Sequence, residues 1–270
     1  MAVKEELEKI PGHEVANHRI DAWWWLVAAV TGLVVLLSIL QPDPYLRIIR
    51  FVSDGILVTV GVTLTAFILT LLLGLVVALG RLSRNGFFRW LSTIYVEIAR
   101  GIPLLVQLLF WYFAFPSLIQ SFGRLINIQA LTRYHANPFV MAILGLTFCY
   151  AAYMSEIYRA GIQSIPKGQN EAARSLGMTH GQAMRYIILP QAFKVILPPV
   201  GNEFISLLKD SSLVSVVAVA DMTRRGREFM AANFIPVETW MMIALLYLVM
   251  TLIAARVVAW IEKKTQTEEH

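Results

Sequence analysis

A polar, basic segment from Ser164 to Pro199 interrupts an otherwise apolar sequence, with hydrophobic runs of membrane-spanning length on both sides. Its position between two membrane spans indicates that a partner outside the membrane interacts with it. A low surface of small side chains suits insertion into a groove on a partner protein. That surface consists of Ala172, Ala173 and Leu176. The plainer alternative is an amphipathic connector lying at the membrane surface.

The elements that would position these residues are two short helices joined by a tight turn. Ser164 is placed to cap the first helix, and Gly177 is suited to end it in the left-handed conformation. Thr179 and Gln182 have the spacing of a capping box, which predicts that a second helix starts there. We expect that second helix to end at Pro190.

A second group of chemically capable residues lies inside the apolar runs: Gln107, Glu156, Asn202, Lys209 and Asp210. Polar groups at membrane depth are costly and usually face the bundle interior or an aqueous path. The structural alternative for Glu156 is a local ion pair with Arg159. Lys209 could be partly neutralised by Asp210 or by a carboxylate on another helix.

Composition indicates an integral membrane protein. Of 270 residues, 57% are hydrophobic and 15% charged, whereas soluble domains average about 25% charged residues. The net charge of +5 is scattered over short connecting segments, which favours membrane sidedness over nucleic-acid binding. The single Cys149 has no partner for an intrachain disulfide, and no G-x-x-x-x-G-K-[ST] loop is present to cradle ATP.

About six spans are predicted, and Lys and Arg are more frequent in the segments that would lie inside, which places both termini in the cytoplasm. The first span exceeds the apolar core of a signal peptide, and no A-x-A site follows it. The third is interrupted at 100–103. The predicted spans are 22–40, 55–79, 91–118, 138–158, 193–220 and 240–260, with 41–54, 121–137 and 221–237 as outer connections.

The polar segment resembles the coupling region of ABC importer membrane subunits. Glu171-Ala172-Ala173, Gly177, Ile187 and Leu189-Pro190 reproduce the spacing EAA-x3-G-x9-I-x-L-P. More narrowly, the chain resembles the polar amino-acid permeases of the histidine, glutamine and arginine type. The matching segments are RGIPLLVQ (100–107), AYMSEIYRAGIQ (152–163), GQNEAA (168–173), LPQA (189–192) and KDSSL (209–213).

This resemblance implies an all-α, type I ABC importer permease with an extra N-terminal helix. The implied division is a cytoplasmic segment (1–21), the extra helix (22–40), the permease domain (53–260, with coupling segment 164–190) and a cytoplasmic tail (261–270). Two departures from the family pattern are Ile102 and Ser211, each where threonine is usual. The coupling residues it implies are Gly168, Glu171, Ala172, Ala173, Leu176 and Gly177.

The implied function is import of a polar amino acid across the bacterial inner membrane by alternating access. The partners would be a cytoplasmic ATPase dimer that binds ATP and Mg²⁺, a binding protein outside, and a second permease subunit, either a copy or a similar chain. The permease itself would be no enzyme and would hold no cofactor. Two other classes remain open: an ion-coupled secondary transporter or channel, and a membrane scaffold that anchors a soluble partner.

Overall fold

The computed structural model describes residues 22–266, and all of its regular structure in that range is helical. The predicted segment 1–21 and the last four residues of the predicted tail 261–270 lie outside the described residues. The α-helices are α1 (Ala22–Leu40), α2 (Pro42–Leu82), α3 (Gly86–Gly101), α4 (Leu104–Leu109), α5 (Phe115–Leu125), α6 (Gln129–Thr132), α7 (Pro138–Gln163), α8 (Lys167–Ser175), α9 (His180–Ala183), α10 (Leu189–Asp210), α11 (Met222–Asn233) and α12 (Pro236–Gln266).

Three irregular helical turns join some of these elements. A π-helical turn, Phe110–Ala114, links α4 to α5, and another, Met184–Ile188, links α9 to α10. A 3₁₀ helix, Ser211–Val217, follows α10.

Five of the described elements are long and apolar enough to cross a membrane: α1, α2, α4 through α5, α7 and α12. The 22 residues of α10 rise about 33 Å, which also matches the bilayer core, although its charged side chains lower its hydropathy. Together these make six helical units of spanning length within residues 22–266, as the sequence predicts.

The predicted connection 41–54 is wrong over most of its length, because α2 extends from Pro42 to Leu82 and has its one non-helical residue, Asp43, at its start. Tyr45, Ile48 and Val52 recur at helical spacing and are buried in a core cluster with side chains of α11 and α12. The charged Arg47 and Arg50 lie on the exposed side of the same helix.

A seam of small residues along α2 packs against α7, as the spacing of threonine, alanine and glycine predicts. Thr59, Thr63 and Thr70 are buried, and a Cβ on Gly74 would lie 2.8 Å from the Cβ of Met154. Substitution of Gly74 by any larger residue therefore requires the two helices to separate.

Other predicted boundaries also shift. The outer connections 121–137 and 221–237 contain helical segments rather than loops alone, and α12 begins at Pro236. The predicted fifth span does not continue to Ala220 as one helix. It stops at Asp210, and Ala218 takes a left-handed conformation with φ of 64°. Asp221 then caps α11 by accepting the N–H groups of Thr223 and Arg224 at 3.1 and 3.0 Å.

Candidate coupling segment and substrate cavity

The hairpin formed by α8 and α9 has the turn and cap that the sequence predicts. Gly177 adopts φ of +83°, in the left-handed region that favours glycine. The hydroxyl of Thr179 accepts the N–H of Gln182 at 3.3 Å, and the amide oxygen of Gln182 accepts the N–H of Thr179 at 2.8 Å. This reciprocal bonding is a complete capping box.

Both predicted outer limits of the hairpin are wrong. Ser164 does not cap α8; its hydroxyl donates to the carbonyl of Gly161 at 2.8 Å, so it closes the end of α7. Pro166 precedes α8 instead. Nor does the chain leave its helical path at Pro190, because the π-helical turn leads directly into α10 and Pro190 falls in the first turn of that helix.

The exposed tip of the hairpin is smaller than predicted. Leu176 is 82% exposed, and Glu171 and Ala172 are also exposed. Ala173 is only 3% exposed, so it does not belong to the presented surface. It lies within the hairpin, where α8 packs against α9 and the following π-helical turn. Gly168 is exposed near the start of α8, with open space where a Cβ would project.

The predicted interruption at 100–103 separates α3 from α4, and Gln107 supports it. The side-chain nitrogen of Gln107 donates to the carbonyls of Ala99 at 2.7 Å and Ile102 at 2.8 Å. Carbonyls at a helix end lack partners within the helix, so Gln107 satisfies two groups that the break exposes. With 4% exposure, Gln107 braces the break and does not line an open path.

Glu156 also has a structural position. Its carboxylate pairs with Arg159 at 2.7 Å, which confirms the predicted local pair. It also contacts Arg81 of α2 and lies 4.0 Å from Arg100 of α3. One carboxylate on α7 thus joins three helices.

An open cavity of about 370 Å³ lies between the helix break, α7 and α10. The hydroxyl of Tyr150 donates to the Asp210 carboxylate at 2.7 Å, and the Arg100 guanidinium stacks 5.2 Å from the ring centre of Tyr153. One guanidinium and two carboxylates therefore share this space. The lining residues are Arg100, Gly101, Ile102, Pro103, Leu104, Cys149, Tyr150, Tyr153, Glu203, Ser206 and Asp210.

Of the five pathway residues predicted from sequence, Asp210 lines this cavity. Asn202 and Lys209 are exposed on another side of α10. Among the residues described, no ion pair joins Lys209 to Asp210, so that predicted alternative is wrong. The sequence prediction omitted Glu203 from the site, although Glu203 and Asp210 are seven positions apart, a spacing that places both on one helix face.

A separate charged cluster fixes α11 to the start of α2 at the opposite end of the bundle. Arg225 pairs with Asp54 at 2.5 Å and with Glu228 at 2.9 Å, and Arg224 pairs with Glu228 at 3.0 Å. These acids compensate the arginines that crowd the last predicted outer connection. The hydrogen bond from Arg225 lowers the pKa of Glu228 below its usual value. Within residues 22–266, no cluster of three or more His, Cys, Asp or Glu side chains is arranged for metal binding.

Residues 70–267 match the family described as the binding-protein-dependent transport system inner membrane component. The chain belongs to this family. It is therefore a multi-pass transport component of the inner membrane, and the resemblance recognised from the EAA motif is confirmed.

Similar proteins support the same assignment. The L-cystine transport system permease protein TcyB of Bacillus subtilis (strain 168) is 41% identical over 181 residues, which cover 67% of this chain and 71% of TcyB. The arginine transport system permease protein ArtQ of the same organism is 35% identical over 221 residues, covering 82% and 95%.

A solved structure described as an amino acid ABC transporter with histidines superposes with a TM-score of 0.71 at 38% identity. The match covers 84% of this chain and 97% of that one. The expected type I ABC importer permease fold is confirmed, and the chain is a permease subunit.

Proposed function

We propose that this permease subunit carries a polar amino acid through the cavity beside the helix break. The observation that carries the proposal is the presence of one guanidinium and two carboxylates around a space of about 370 Å³. Such a volume lies within the usual range for small-molecule sites. Relatives named for cystine and arginine transport are consistent with a substrate bearing both an ammonium and a carboxylate.

The chemistry of binding follows from the charges. Arg100 would receive the carboxylate of the amino acid through N–H donors, and Glu203 and Asp210 would accept the ammonium. The Tyr150 hydroxyl already holds the Asp210 carboxylate in place. Preorganised charges of both signs favour a zwitterion over a simple anion or cation, because each single charge would meet one unfavourable partner.

Coupling to ATP is assigned to the α8–α9 hairpin. Leu176 and Ala172 would enter a groove on a separate cytoplasmic ATPase dimer, and Glu171 would provide a charged contact; Gly168, Ala173 and Gly177 would shape the hairpin. The ATPase would hold ATP and Mg²⁺, and both termini would lie on its side. Closure of the ATPase dimer would pull the hairpins of the two permease subunits together and favour the outward-facing state. Such a shift requires that nucleotide interacts differently with the inward-facing and outward-facing states.

The remaining partners would complete the pathway. An extracytoplasmic binding protein would deliver the amino acid, and a second permease subunit, identical or similar, would lie opposite the exposed Asn202 and Lys209 of α10. Two subunits facing each other would enclose a path that one chain leaves open. The helix α1 would be an addition to the permease domain.

The substrate proposal is tested by uptake of radiolabelled amino acids into proteoliposomes that contain the complete importer. Glu203→Gln and Asp210→Asn should each reduce uptake at least tenfold while ATPase association stays intact, since each removes a negative charge that would pair with the ammonium. Asp43→Asn is the matched control, because its side chain is 74% exposed and far along the chain from the cavity. Normal uptake in both cavity variants would contradict the assignment.

The coupling proposal is tested by co-purification of the ATPase. Glu171→Ala and Leu176→Ala should lower ATPase recovery and uptake without changing membrane insertion, because both side chains project from the hairpin. Arg89→Ala changes an exposed charge outside the hairpin and should behave as wild type. Uptake driven by an ion gradient in vesicles without ATPase would instead support a secondary transporter.

A further inference from the structure

Tyr150 and Tyr153 lie one helical turn apart on α7, and both line the substrate cavity. Each of them contacts a charged side chain of that cavity. The Tyr150 hydroxyl donates to Asp210 at 2.7 Å, whereas the ring centre of Tyr153 lies 5.2 Å from the guanidinium carbon of Arg100. The two tyrosines thus contact a hydrogen-bond acceptor and a hydrogen-bond donor of the same cavity.

The backbone of Arg100 is fixed where α3 ends. The side-chain nitrogen of Gln107 donates to the carbonyl of Ala99 at 2.7 Å and to that of Ile102 at 2.8 Å. These carbonyls belong to the residue before Arg100 and to the residue two positions after it. The side chain of Arg100, by contrast, is 46% exposed, so the backbone alone leaves its rotatable bonds unrestrained.

Two contacts restrain the Arg100 side chain, and neither of them is a hydrogen bond. The guanidinium carbon lies over the ring of Tyr153 at a distance typical of a cation–π interaction. A carboxylate oxygen of Glu156 lies 4.0 Å from Nη1 of Arg100, beyond the range of about 2.7–3.2 Å for an N–H···O hydrogen bond. Among residues 22–266, Arg100 donates no hydrogen bond from its guanidinium. Its N–H groups are therefore available to a ligand.

The other two arginines at Glu156 are bound directly to its carboxylate. Arg159 donates to one oxygen of Glu156 at 3.0 and 2.7 Å and to the amide oxygen of Gln163 at 2.6 Å. Arg81 contacts the second oxygen of the same carboxylate. Arg100 is the one of these three arginines that lines the cavity, and it keeps its planar set of donors available for a carboxylate.

We propose that Tyr153 is a positioning residue for the substrate: its ring holds the Arg100 guanidinium at the cavity while the N–H groups stay available to the substrate carboxylate. This inference rests on the proposed function, which assigns that carboxylate to Arg100. A donor that is held in place before binding loses less conformational freedom when the ligand arrives, which increases affinity. The hydroxyl of Tyr153 is not needed for this effect, because a phenyl ring presents a similar π face.

Equilibrium binding to the purified complex of permease subunits and ATPase tests the proposal, with the binding protein left out so that the permease cavity alone selects the ligand. The probe is the radiolabelled form of whichever standard amino acid the wild-type importer takes up fastest. Tyr153→Leu should raise the Kd about 3- to 30-fold with ATPase association unchanged, since a cation–π contact is lost. Tyr153→Phe keeps the ring and should stay within about twofold of wild type. Equal weakening by both substitutions would overturn the role of the ring.

The variant Arg100→Gln separates this inference from the proposed function. Its Kd should rise, and adding Tyr153→Leu to it should raise the Kd no further, because no guanidinium remains to be held. A further rise in the double variant, equal to that caused by Tyr153→Leu alone, would indicate general packing and overturn the inference. An unchanged Kd in Tyr153→Leu would overturn the inference alone, whereas an unchanged Kd in Arg100→Gln would contradict the proposed function itself.

Tyr186→Leu is the matched control. The guanidinium of Arg185 lies 5.7 Å from the ring centre of Tyr186, so this variant removes the same kind of contact outside the cavity. Its Kd for the amino acid should equal that of wild type. Weakening as large as that in Tyr153→Leu would show that the effect is not specific to the cavity, and it would overturn the assignment.

Discussion

A substitution at Gly177 tests whether the left-handed turn holds the α8–α9 hairpin together. At this position the effect of the backbone angle can be measured without a steric clash. A Cβ at this position would meet no heavy atom within 4 Å, so Gly177→Ala introduces no clash with neighbouring groups. It does force alanine to adopt φ of +83°, which costs about 1–2 kcal/mol for an L-residue. Since the turn joins α8 to α9, we expect the folded hairpin to be destabilised about 5- to 30-fold relative to its open form.

Hydrogen–deuterium exchange over residues 164–183 of the complete importer would measure this change, with ATPase affinity as the functional readout. Gly177→Asn should recover part of the loss, because asparagine enters the left-handed region more readily than alanine. Gly181→Ala is the matched control: it also adds a methyl group to open space, but inside α9, where alanine is favoured by up to ~1 kcal/mol. Equal exchange in Gly177→Ala and Gly181→Ala would refute the reasoning.

Three further predictions concern other parts of the bundle. Tyr150→Phe removes the hydroxyl that donates to Asp210 at 2.7 Å and should reduce uptake by about tenfold with ATPase association unchanged, as measured in proteoliposomes. Gly55→Ala would place a Cβ 2.8 Å from the backbone of α11 and should lower thermal stability by about 1–3 kcal/mol, whereas Gly61→Ala in the same helix meets open space and should not. Arg225 lowers the pKa of Glu228 in the folded protein. Ionised Glu228 therefore stabilises the folded state fully above the unfolded pKa of about 4.3, and this contribution is lost as pH falls through the lower pKa of the folded state. The melting temperature of the detergent-solubilised wild type should fall as pH is lowered from 6 to 3, and it should fall less in Glu228→Gln.

Features that depend on neighbouring residues in the sequence were predictable. The capping box at Thr179 and Gln182 and the left-handed Gly177 follow from local backbone chemistry, and the structure confirms them. The seam of small residues on α2 was predictable for a similar reason, because its helical spacing is visible in the sequence.

Features that depend on contacts between distant helices were not predictable from local patterns. The Glu156–Arg159 pair was visible at a spacing of three, but the approach of Arg81 and Arg100 depends on how α2 and α3 meet α7. Gln107 was predicted to be a pathway residue because it is a polar residue within an apolar segment. Its hydrogen bonds to the carbonyls of Ala99 and Ile102 could not be inferred from the sequence. The burial of Ala173 required the packing of α8 on the turn that follows α9.

Glu156 and the three arginines around it, Arg81, Arg100 and Arg159, should differ in how far they tolerate mutation. Each of the three arginines can be lost while two cations still face the carboxylate, so their contributions are partly redundant. The carboxylate has no such substitute, and its neutralisation would leave three like charges opposed at the meeting point of three helices. Sequence variation should therefore be tolerated more readily at Arg81 or Arg159 than at Glu156, whereas Arg100 is also assigned to the substrate carboxylate. Loss of Glu156 should be offset most readily by simultaneous loss of one of its arginine partners.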